Sequence, residues 1–236
     1  MVVVNIIVKI LDYFGGKEMG IKKTKGDEWS FNCYRNNIQS MSDKQWQQIV
    51  KCKELRSLEL NQCENSGDYI DDLLGFPKLS SILISSSHLK SEKLSKFELP
   101  PSCDAVIIEN CSVDENGFTV VPESSHVTEL FIKIGSDKRC LSPEEISALA
   151  RKFPSLSQIG LTNIDPTYLD SLVTLIKTSS IKECEVEGKD FKFDSFDKLI
   201  DAISQSKGKL TVEEFEPEEV YLDIKQKISV AGISSE

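Results

Sequence analysis

Apolar side chains recur along the chain in a short pattern that stands out in "LRSLELNQC", which begins at Leu55. Leu55, Leu58 and Leu60 are its apolar positions, and Cys63 closes it. Alternation of apolar and polar residues over a few positions predicts a β-strand with one buried face. A strand this short cannot be stable alone, so it belongs either to an ordinary sheet or to a structure that repeats.

The same spacing of apolar positions occurs six more times. Nonamers with this pattern begin at Leu79, Cys103, Val127, Leu156 and Ile181, and a looser one begins at Gly26 with Trp29, Phe31 and Tyr34. Successive starts lie 24 to 29 residues apart. Self-similarity at a period of about 20 to 50 residues is the sequence signature of stacked repeats. The chain is therefore predicted to be built from about seven units.

Most segments between the nonamers carry apolar residues at helical spacing, which predicts a helix in each. These apolar faces consist of Trp46, Ile49 and Val50; Ile70, Leu73 and Leu74; Ile146, Leu149 and Phe153; Leu169, Leu172, Val173 and Ile176; and Phe196, Leu199, Ile200 and Ile203. One helix start is especially clear, because Ser142 precedes Pro143 and Glu145 completes a capping box. The segment after Cys111 has no helical stripe and is predicted to be an extended loop.

The pattern resembles the leucine-rich-repeat superfamily, whose signature is L-x-x-L-x-L-x-x-N/C-x-L. Strands that alternate with helices are similar to the ribonuclease-inhibitor-like type. The stretch "LSPEEISALARKFPSLSQIGLTN" resembles the C-terminal repeat region of animal nucleotide-binding leucine-rich-repeat (NLR) receptors. The chain departs from the signature in one respect, because Asn or Cys closes the nonamer only at Cys63 and Cys111.

The resemblance implies an α/β fold, a leucine-rich-repeat solenoid. Such a solenoid has a curved parallel sheet on its concave side and helices and loops on its convex side. The predicted organisation is an N-terminal cap over residues 1–25, repeats over 26–209, and a divergent C-terminal cap with an acidic tail over 210–236. Terminal units that cover the open ends of the core are expected in such stacks.

Composition and charge restrict the partners. The 236 residues carry a formal net charge of -10, which disfavours nucleic acid and anionic membranes, since both attract an excess of Lys and Arg. No apolar run approaches the roughly 20 residues that span a bilayer. The apolar opening "MVVVNIIVKILDYF" lacks a basic start and contains Lys9, so we interpret it as an N-terminal core element and not as a signal peptide.

The cysteines favour a cytoplasmic protein. Their number, seven, is odd, and they form no CxxC pair, whereas disulfide frameworks usually have an even, closely spaced set. Buried reduced thiols are typical of intracellular proteins. A single glycosylation sequon at Asn110-Cys111-Ser112 arises easily by chance and does not change this interpretation.

No candidate for catalysis or cofactor binding survives inspection of the motifs. Gly15 and Gly20 have the spacing of a phosphate-binding loop, but Ile21 stands where that motif needs lysine. His88 and His126 lie in serine-rich stretches without a nucleophile elbow, so they are predicted to be turn residues. No metal-ligand spacing occurs, and the acidic run from Glu213 to Glu219 is interpreted as a solvated segment. Cys103, Cys111 and Cys184 occupy inward positions of the repeat and are predicted to pack there.

The outward face of the strands remains as the candidate site. If Leu58 and Leu60 point inward, Glu59 points outward, because alternate residues of a strand face opposite sides. Carried through the units, the central outward column reads Ser30, Glu59, Leu83, Ile107, Phe131, Gly160 and Glu185.

Within this column, Leu83, Ile107 and Phe131 are predicted to form an apolar patch on adjacent strands. Contiguous apolar patches with a polar rim mark interaction sites. The predicted partner-binding residues are Leu83, Ile107, Phe131, Ala105, Glu109, Glu129 and Lys133, with an acidic end of Glu183, Glu185 and Glu187. Alternatively, the outward apolar residues pack under a loop or stiffen the sheet.

These observations predict a non-catalytic protein that binds a protein or peptide with basic character near its apolar contact. The resemblance implies the ligand-sensing or autoinhibitory region of an intracellular innate-immune receptor. A substrate-recruiting leucine-rich adaptor of a ubiquitin ligase is the alternative, and it differs in carrying an F-box-like helical segment upstream.

Overall fold

The computed structural model describes residues 21–23, 29–133, 141–162, 169–178, 181–187, 193–206, 208–213 and 226–228. Several predictions fall on residues outside these ranges. They concern the apolar N-terminal segment, the glycines Gly15 and Gly20, the last residues of the nonamers that begin at Val127, Leu156 and Ile181 (Gly135, Ile164 and Lys189), and the acidic tail beyond Glu213.

The described chain forms one main sheet of nine strands and a second sheet of two. The strands are β1 (Lys22–Lys23), β2 (Trp29–Asn32), β3 (Leu55–Leu60), β4 (Ser81–Ser85), β5 (His88–Leu89), β6 (Ala105–Glu109), β7 (Ser112–Val113), β8 (Glu129–Lys133), β9 (Gln158–Leu161), β10 (Glu183–Glu187) and β11 (Lys209–Glu213). The main sheet has the order β1-β2-β3-β4-β6-β8-β9-β10-β11, and β5 pairs with β7. Only the β1–β2 pair is antiparallel, so eight strands form a continuous parallel sheet.

Helices and turns connect the parallel strands, which need long crossovers to run in the same direction. The α-helices are α1 (Asp43–Val50), α2 (Ser91–Leu94), α3 (Pro143–Lys152), α4 (Leu169–Thr178) and α5 (Phe193–Ser206), and 3-10 helices span Tyr34–Asn36, Ser66–Asp68, Ile70–Gly75 and Gly117–Val120. The prediction of an α/β fold with a large parallel sheet is therefore confirmed. No helix within the described ranges is both long and apolar enough to cross a bilayer.

The alternation of buried and outward residues agrees with the sequence pattern. The inward residues of the central strands are nearly inaccessible to solvent: Leu58, Leu60, Ile82, Ile84, Val106, Ile108, Leu130, Ile132, Ile159, Leu161, Cys184 and Val186. Residues between them on the same strands are half-buried or exposed at most positions, as at Leu83, Ile107 and Glu185. The predicted inward phase of these strands is confirmed, and one face of the sheet supplies the core.

Backbone contacts recur from strand to strand. At the start of six parallel strands, the N–H of one residue donates to the carbonyl of its counterpart 24 to 29 residues earlier, at 2.6 to 3.0 Å. The pairs are Ser80 to Arg56, Asp104 to Ser80, Thr128 to Asp104, Ser157 to Thr128, Lys182 to Ser157 and Lys209 to Lys182. Just after three strands, Gln62, Ser86 and Asn110 take left-handed backbone conformations with φ of 55°, 57° and 50°. These three residues lie 24 positions apart, so the turn that leaves the sheet repeats with the sequence period.

The crossover segments follow the predictions at most positions but not at all. Ser142 caps α3 in a complete capping box with Glu145, as predicted. Leu74, predicted to lie on a buried helical face, is 53% exposed, so that prediction is wrong. The segment is a 3-10 helix, and its three residues per turn bring Ile70, Leu73 and Phe76 to the core side instead.

Candidate functional site

The outward apolar residues lie side by side on adjacent parallel strands. In the register of the sheet, Leu83 of β4 pairs with Ile107 of β6, and Ile107 pairs with Phe131 of β8. All three side chains are half-buried. Neighbouring strands are about 4.8 Å apart, so the three residues form one row about 10 Å long between its outer members. We call Leu83, Ile107 and Phe131 the apolar row.

Polar side chains flank the apolar row on both sides. Toward the start of the strands, Ala105 pairs with Glu129, and both are half-buried. Toward their end, Glu109 pairs with Lys133, and Glu109 is exposed. The structure thus brings together seven of the ten predicted site residues on β4, β6 and β8.

Phe131 does not stand upright from the sheet but covers Gly160 of β9. A Cβ atom built on Gly160 would lie 2.4 Å from Cδ1 and 3.0 Å from Cε1 of the Phe131 ring. Glycine in a strand interior often marks such a close approach. Because the ring leans toward β9, the apolar surface of the row extends over a fourth strand. Gly160 is a site residue that sequence reasoning placed in the column but gave no role.

Lys133 and Glu185 form an ion pair across the strand that contains this glycine. Their Nζ and Oε1 atoms are 2.7 Å apart, and their side chains are 32% and 20% exposed. The two residues belong to β8 and β10, so their side chains reach across β9, where Gly160 lies in register with both Phe131 and Glu185. The ion pair joins Lys133, next to the apolar row, to Glu185 of the predicted acidic end. The sequence pattern does not predict this contact.

The acidic end is therefore less negative than its sequence suggests. The charge of Glu185 is opposed by Lys133, whereas Glu183 is exposed and lies in register between Gln158 and Lys209. The side chain of Glu187 lies outside the described part of the structure.

The start of the predicted outward column needs a correction. Asn32, and not Ser30, lies in register with Glu59, and Ser30 lies in register with Ser57. The Asn32 side chain donates a hydrogen bond to the Glu59 carboxylate. A shift of two residues keeps every side chain on its face, so the apolar pattern alone could not distinguish the two registers.

Substituting Gly160 with alanine tests the packing beneath the row. The added methyl group overlaps the Phe131 ring, which must rotate away from β9, so we expect the free energy of unfolding to fall by about 1 to 3 kcal/mol. In a Phe131→Ala background the obstacle is absent, and alanine is normally favoured over glycine in a strand by about 0.5 to 1 kcal/mol. Chemical denaturation of the two single variants, the double variant and the wild type measures this coupling. Additive effects of the two substitutions would contradict the contact.

The buried cysteines have the chemistry of packing residues. Burial raises the pKa of Cys103 to about 12, that of Cys111 to about 11 and that of Cys184 to about 12. The thiolate is the nucleophilic form of cysteine, and it is disfavoured at all three positions near neutral pH. Their environments support the interpretation that these side chains fill the core.

One polar cluster escaped the sequence reading. Nε2 of His88 is 2.8 Å from Oδ1 of Asp114, and the backbone N–H of Ser91 donates to Oδ2 of Asp114 at 2.7 Å. The N–H of Ser91, and after it the His88 ring, lower the pKa of Asp114. Asp114 thus ties β5 and the start of α2 to the segment after β7. We interpret this contact as structural. In a hydrolytic triad a serine hydroxyl is hydrogen-bonded to the histidine, whereas Ser91 donates its backbone N–H to Asp114.

Within the described residues, no group of three or more His, Cys, Asp or Glu side chains is arranged to hold a metal ion. No protein-family model matches the chain, and no curated protein matches its sequence.

Proposed function

We propose that the chain is a leucine-rich-repeat module of the solenoid type that binds a protein or peptide and has no catalytic activity. Three features of the fold support the repeat assignment. The eight parallel strands follow one another in chain order, one backbone hydrogen bond recurs at the start of successive strands, and the left-handed turn residue recurs at a spacing of 24 residues. Stacked repeats require such neighbour-to-neighbour contacts, because each unit buries its apolar face only against the next.

The apolar row is the observation that carries the binding proposal. Leu83, Ile107 and Phe131 occupy the face of the sheet opposite to the core, on three adjacent strands. Glu109, Glu129 and Lys133 surround them. A contiguous apolar surface with a polar rim is typical of interaction sites.

The resemblance to NLR receptors leads us to propose a sensing or autoinhibitory role in an intracellular innate-immune receptor. A substrate-recruiting adaptor of a ubiquitin ligase is the second candidate. Both roles use the same sheet face, and the full open reading frame discriminates them, since an upstream nucleotide-binding domain favours the receptor and an F-box-like segment favours the adaptor.

Selection from a displayed peptide library tests the binding proposal directly. Peptides enriched on the purified wild-type protein are synthesised, and their dissociation constants are measured for the wild type and for Ile107→Ser. Loss of the central apolar side chain of the row is expected to weaken binding at least tenfold.

Leu74→Ser is the matched control, because it removes an exposed apolar side chain from the 3-10 helix that precedes β4. We expect this variant to bind the peptides within twofold of the wild type. Circular dichroism and a denaturation curve establish that both variants are folded. Selected peptides that bind Ile107→Ser as tightly as the wild type would show that the row is not the binding surface.

A further inference from the structure

We propose that the partner segment seated on the apolar row is a basic amphipathic α-helix whose axis crosses the strands. The inference rests on the proposed function and adds to it the form, direction and charge of the bound segment. Three features of the sheet face lead to it: the state of its backbone groups, the spacing and width of the row, and the positions of its carboxylates.

The backbone of the central strands is already fully engaged. β6 pairs with β4 on one side and with β8 on the other, along its whole length. An extended peptide gains its affinity from main-chain hydrogen bonds to a strand edge, and the face of a paired sheet has none to offer. Such a peptide laid on Leu83 and Ile107 would find no partners in the sheet for its own N–H and C=O groups, which is unfavourable where the contact shields them from water. A helix satisfies these groups internally, so it can cover the row without this penalty.

The spacing of the row also fits a helix. From Leu83 to Phe131 the row crosses two strand intervals, which is about 10 Å. Apolar residues at positions i and i+7 of a helix are about 10.5 Å apart along the axis, with a third residue at i+3 or i+4 between them. Three alternate residues of an extended strand span about 13 Å.

The row is only one residue wide along each strand. On β4, the outward neighbours of Leu83 are Ser81 and Ser85, each about 6.7 Å away along the strand. On β6 the neighbours of Ile107 are Ala105 and the exposed Glu109. A narrow apolar strip whose borders are polar except at Ala105 complements the apolar stripe of an amphipathic helix.

The carboxylates on the borders give the expected charge of the helix. Glu129 lies on one border and Glu109 on the other, and Glu183 adds a further exposed carboxylate on β10. Lys133, which lies in register with Glu109, has its charge opposed by Glu185, and Lys209 lies in register with Glu183. Lysine or arginine on both sides of the partner's apolar stripe would therefore meet unlike charge. Between Glu59 of β3 and Glu185 the face is about 24 Å long, which corresponds to a helix of about 16 residues.

Three synthetic peptides of this length test the inference by fluorescence anisotropy with the full chain. The first is a stapled helix with leucines at i, i+4 and i+7 and lysines on both flanks. The second has the same composition with leucine and lysine alternating, which favours an extended strand. The third is the stapled helix with glutamate in place of lysine. We expect the first peptide to bind at least ten times more tightly than either of the others.

Variants of the protein locate the binding. Ile107→Ser should weaken binding of the first peptide at least tenfold. The pair Glu109→Lys with Glu129→Lys should also weaken its binding and should reduce the dependence of its dissociation constant on salt concentration. The control is the pair Glu115→Lys with Glu123→Lys. It makes the same charge change at exposed positions of the segment after β7 and should leave the dissociation constant within twofold.

Each alternative result has a distinct meaning. Tighter, Ile107-dependent binding of the alternating peptide would overturn the helix and leave the proposed function standing. Equal binding of the glutamate helix would overturn the charge assignment. If no peptide depends on Ile107, the inference fails, and the library selection then decides separately whether the row binds anything.

Discussion

Replacing Trp46 with alanine is expected to lower the free energy of unfolding by about 3 to 5 kcal/mol, the usual range for removing a large buried aromatic side chain. Trp46 is 1% exposed. Its ring stacks on Tyr69 with centroids 5.0 Å apart and meets Phe76 edge-on at 5.6 Å. Its Nε1 donates to Oδ2 of Asp72 at 2.9 Å. The substitution removes one aromatic partner from this cluster and separates α1 from the 3-10 helix that precedes β4.

Trp46→Phe and Leu74→Ala are the comparisons for this prediction. The phenylalanine keeps most of the ring contact and loses the hydrogen bond to Asp72, so we expect a loss of about 1 kcal/mol beyond any change in packing. Leu74 is 53% exposed, and its truncation should change stability by less than about 0.5 kcal/mol. Urea denaturation followed by circular dichroism measures all three. A loss below 1 kcal/mol for Trp46→Ala would contradict the packing described for α1.

Glu145→Ala is expected to lower the free energy of unfolding by about 2 to 4 kcal/mol, because it leaves two backbone donors without their acceptor. The Glu145 side chain is fully buried. Its Oε2 accepts from the N–H of Ser142 at 3.0 Å and closes the capping box of α3. Its Oε1 accepts from the buried N–H of Phe118 at 3.2 Å. One carboxylate thus caps a helix and anchors the 3-10 turn of the preceding crossover.

Glu144→Ala is the matched control, since Glu144 is the adjacent glutamate in the same helical turn and is exposed. We expect it to change stability by about 0.5 kcal/mol or less. Glu145→Gln should fall between the two, because the amide retains one oxygen acceptor and loses the charge. Equal denaturation midpoints for Glu145→Ala and Glu144→Ala would contradict the double role of this carboxylate.

The capping of α3 shows which contacts can be predicted from the local sequence and which cannot. Ser142, Pro143 and Glu145 lie within four consecutive positions, and the side chains of Ser142 and Glu145 reach backbone N–H groups of the same turn. The box was therefore predictable, and it is confirmed. The second bond of Glu145, to Phe118, joins residues 27 positions apart, and nothing in the local pattern distinguishes Phe118 as its partner.

The candidate site also contains contacts that the sequence predicts and contacts that it does not predict. A period of two along each strand and a spacing of 24 residues between units were sufficient to bring Leu83, Ile107 and Phe131 into one row. The lean of Phe131 over Gly160 and the ion pair of Lys133 with Glu185 were not foreseen. The lean of Phe131 depends on the empty space that Gly160 leaves on β9, and the ion pair spans the same strand. Both contacts exist only once the strands are side by side.

The sequence by itself determined which residues face the core and which strands are neighbours, because burial of apolar surface selects one phase of the pattern and a regular chain spacing brings successive strands together. Only the tertiary structure decided the register of β2, where Asn32 and not Ser30 faces Glu59, and the 3-10 geometry that exposes Leu74. Shifts of two residues in a strand, or of a fraction of a residue per turn in a helix, leave the apolar pattern nearly unchanged. Contacts between distant segments choose among these alternatives, and such contacts form only in the folded chain.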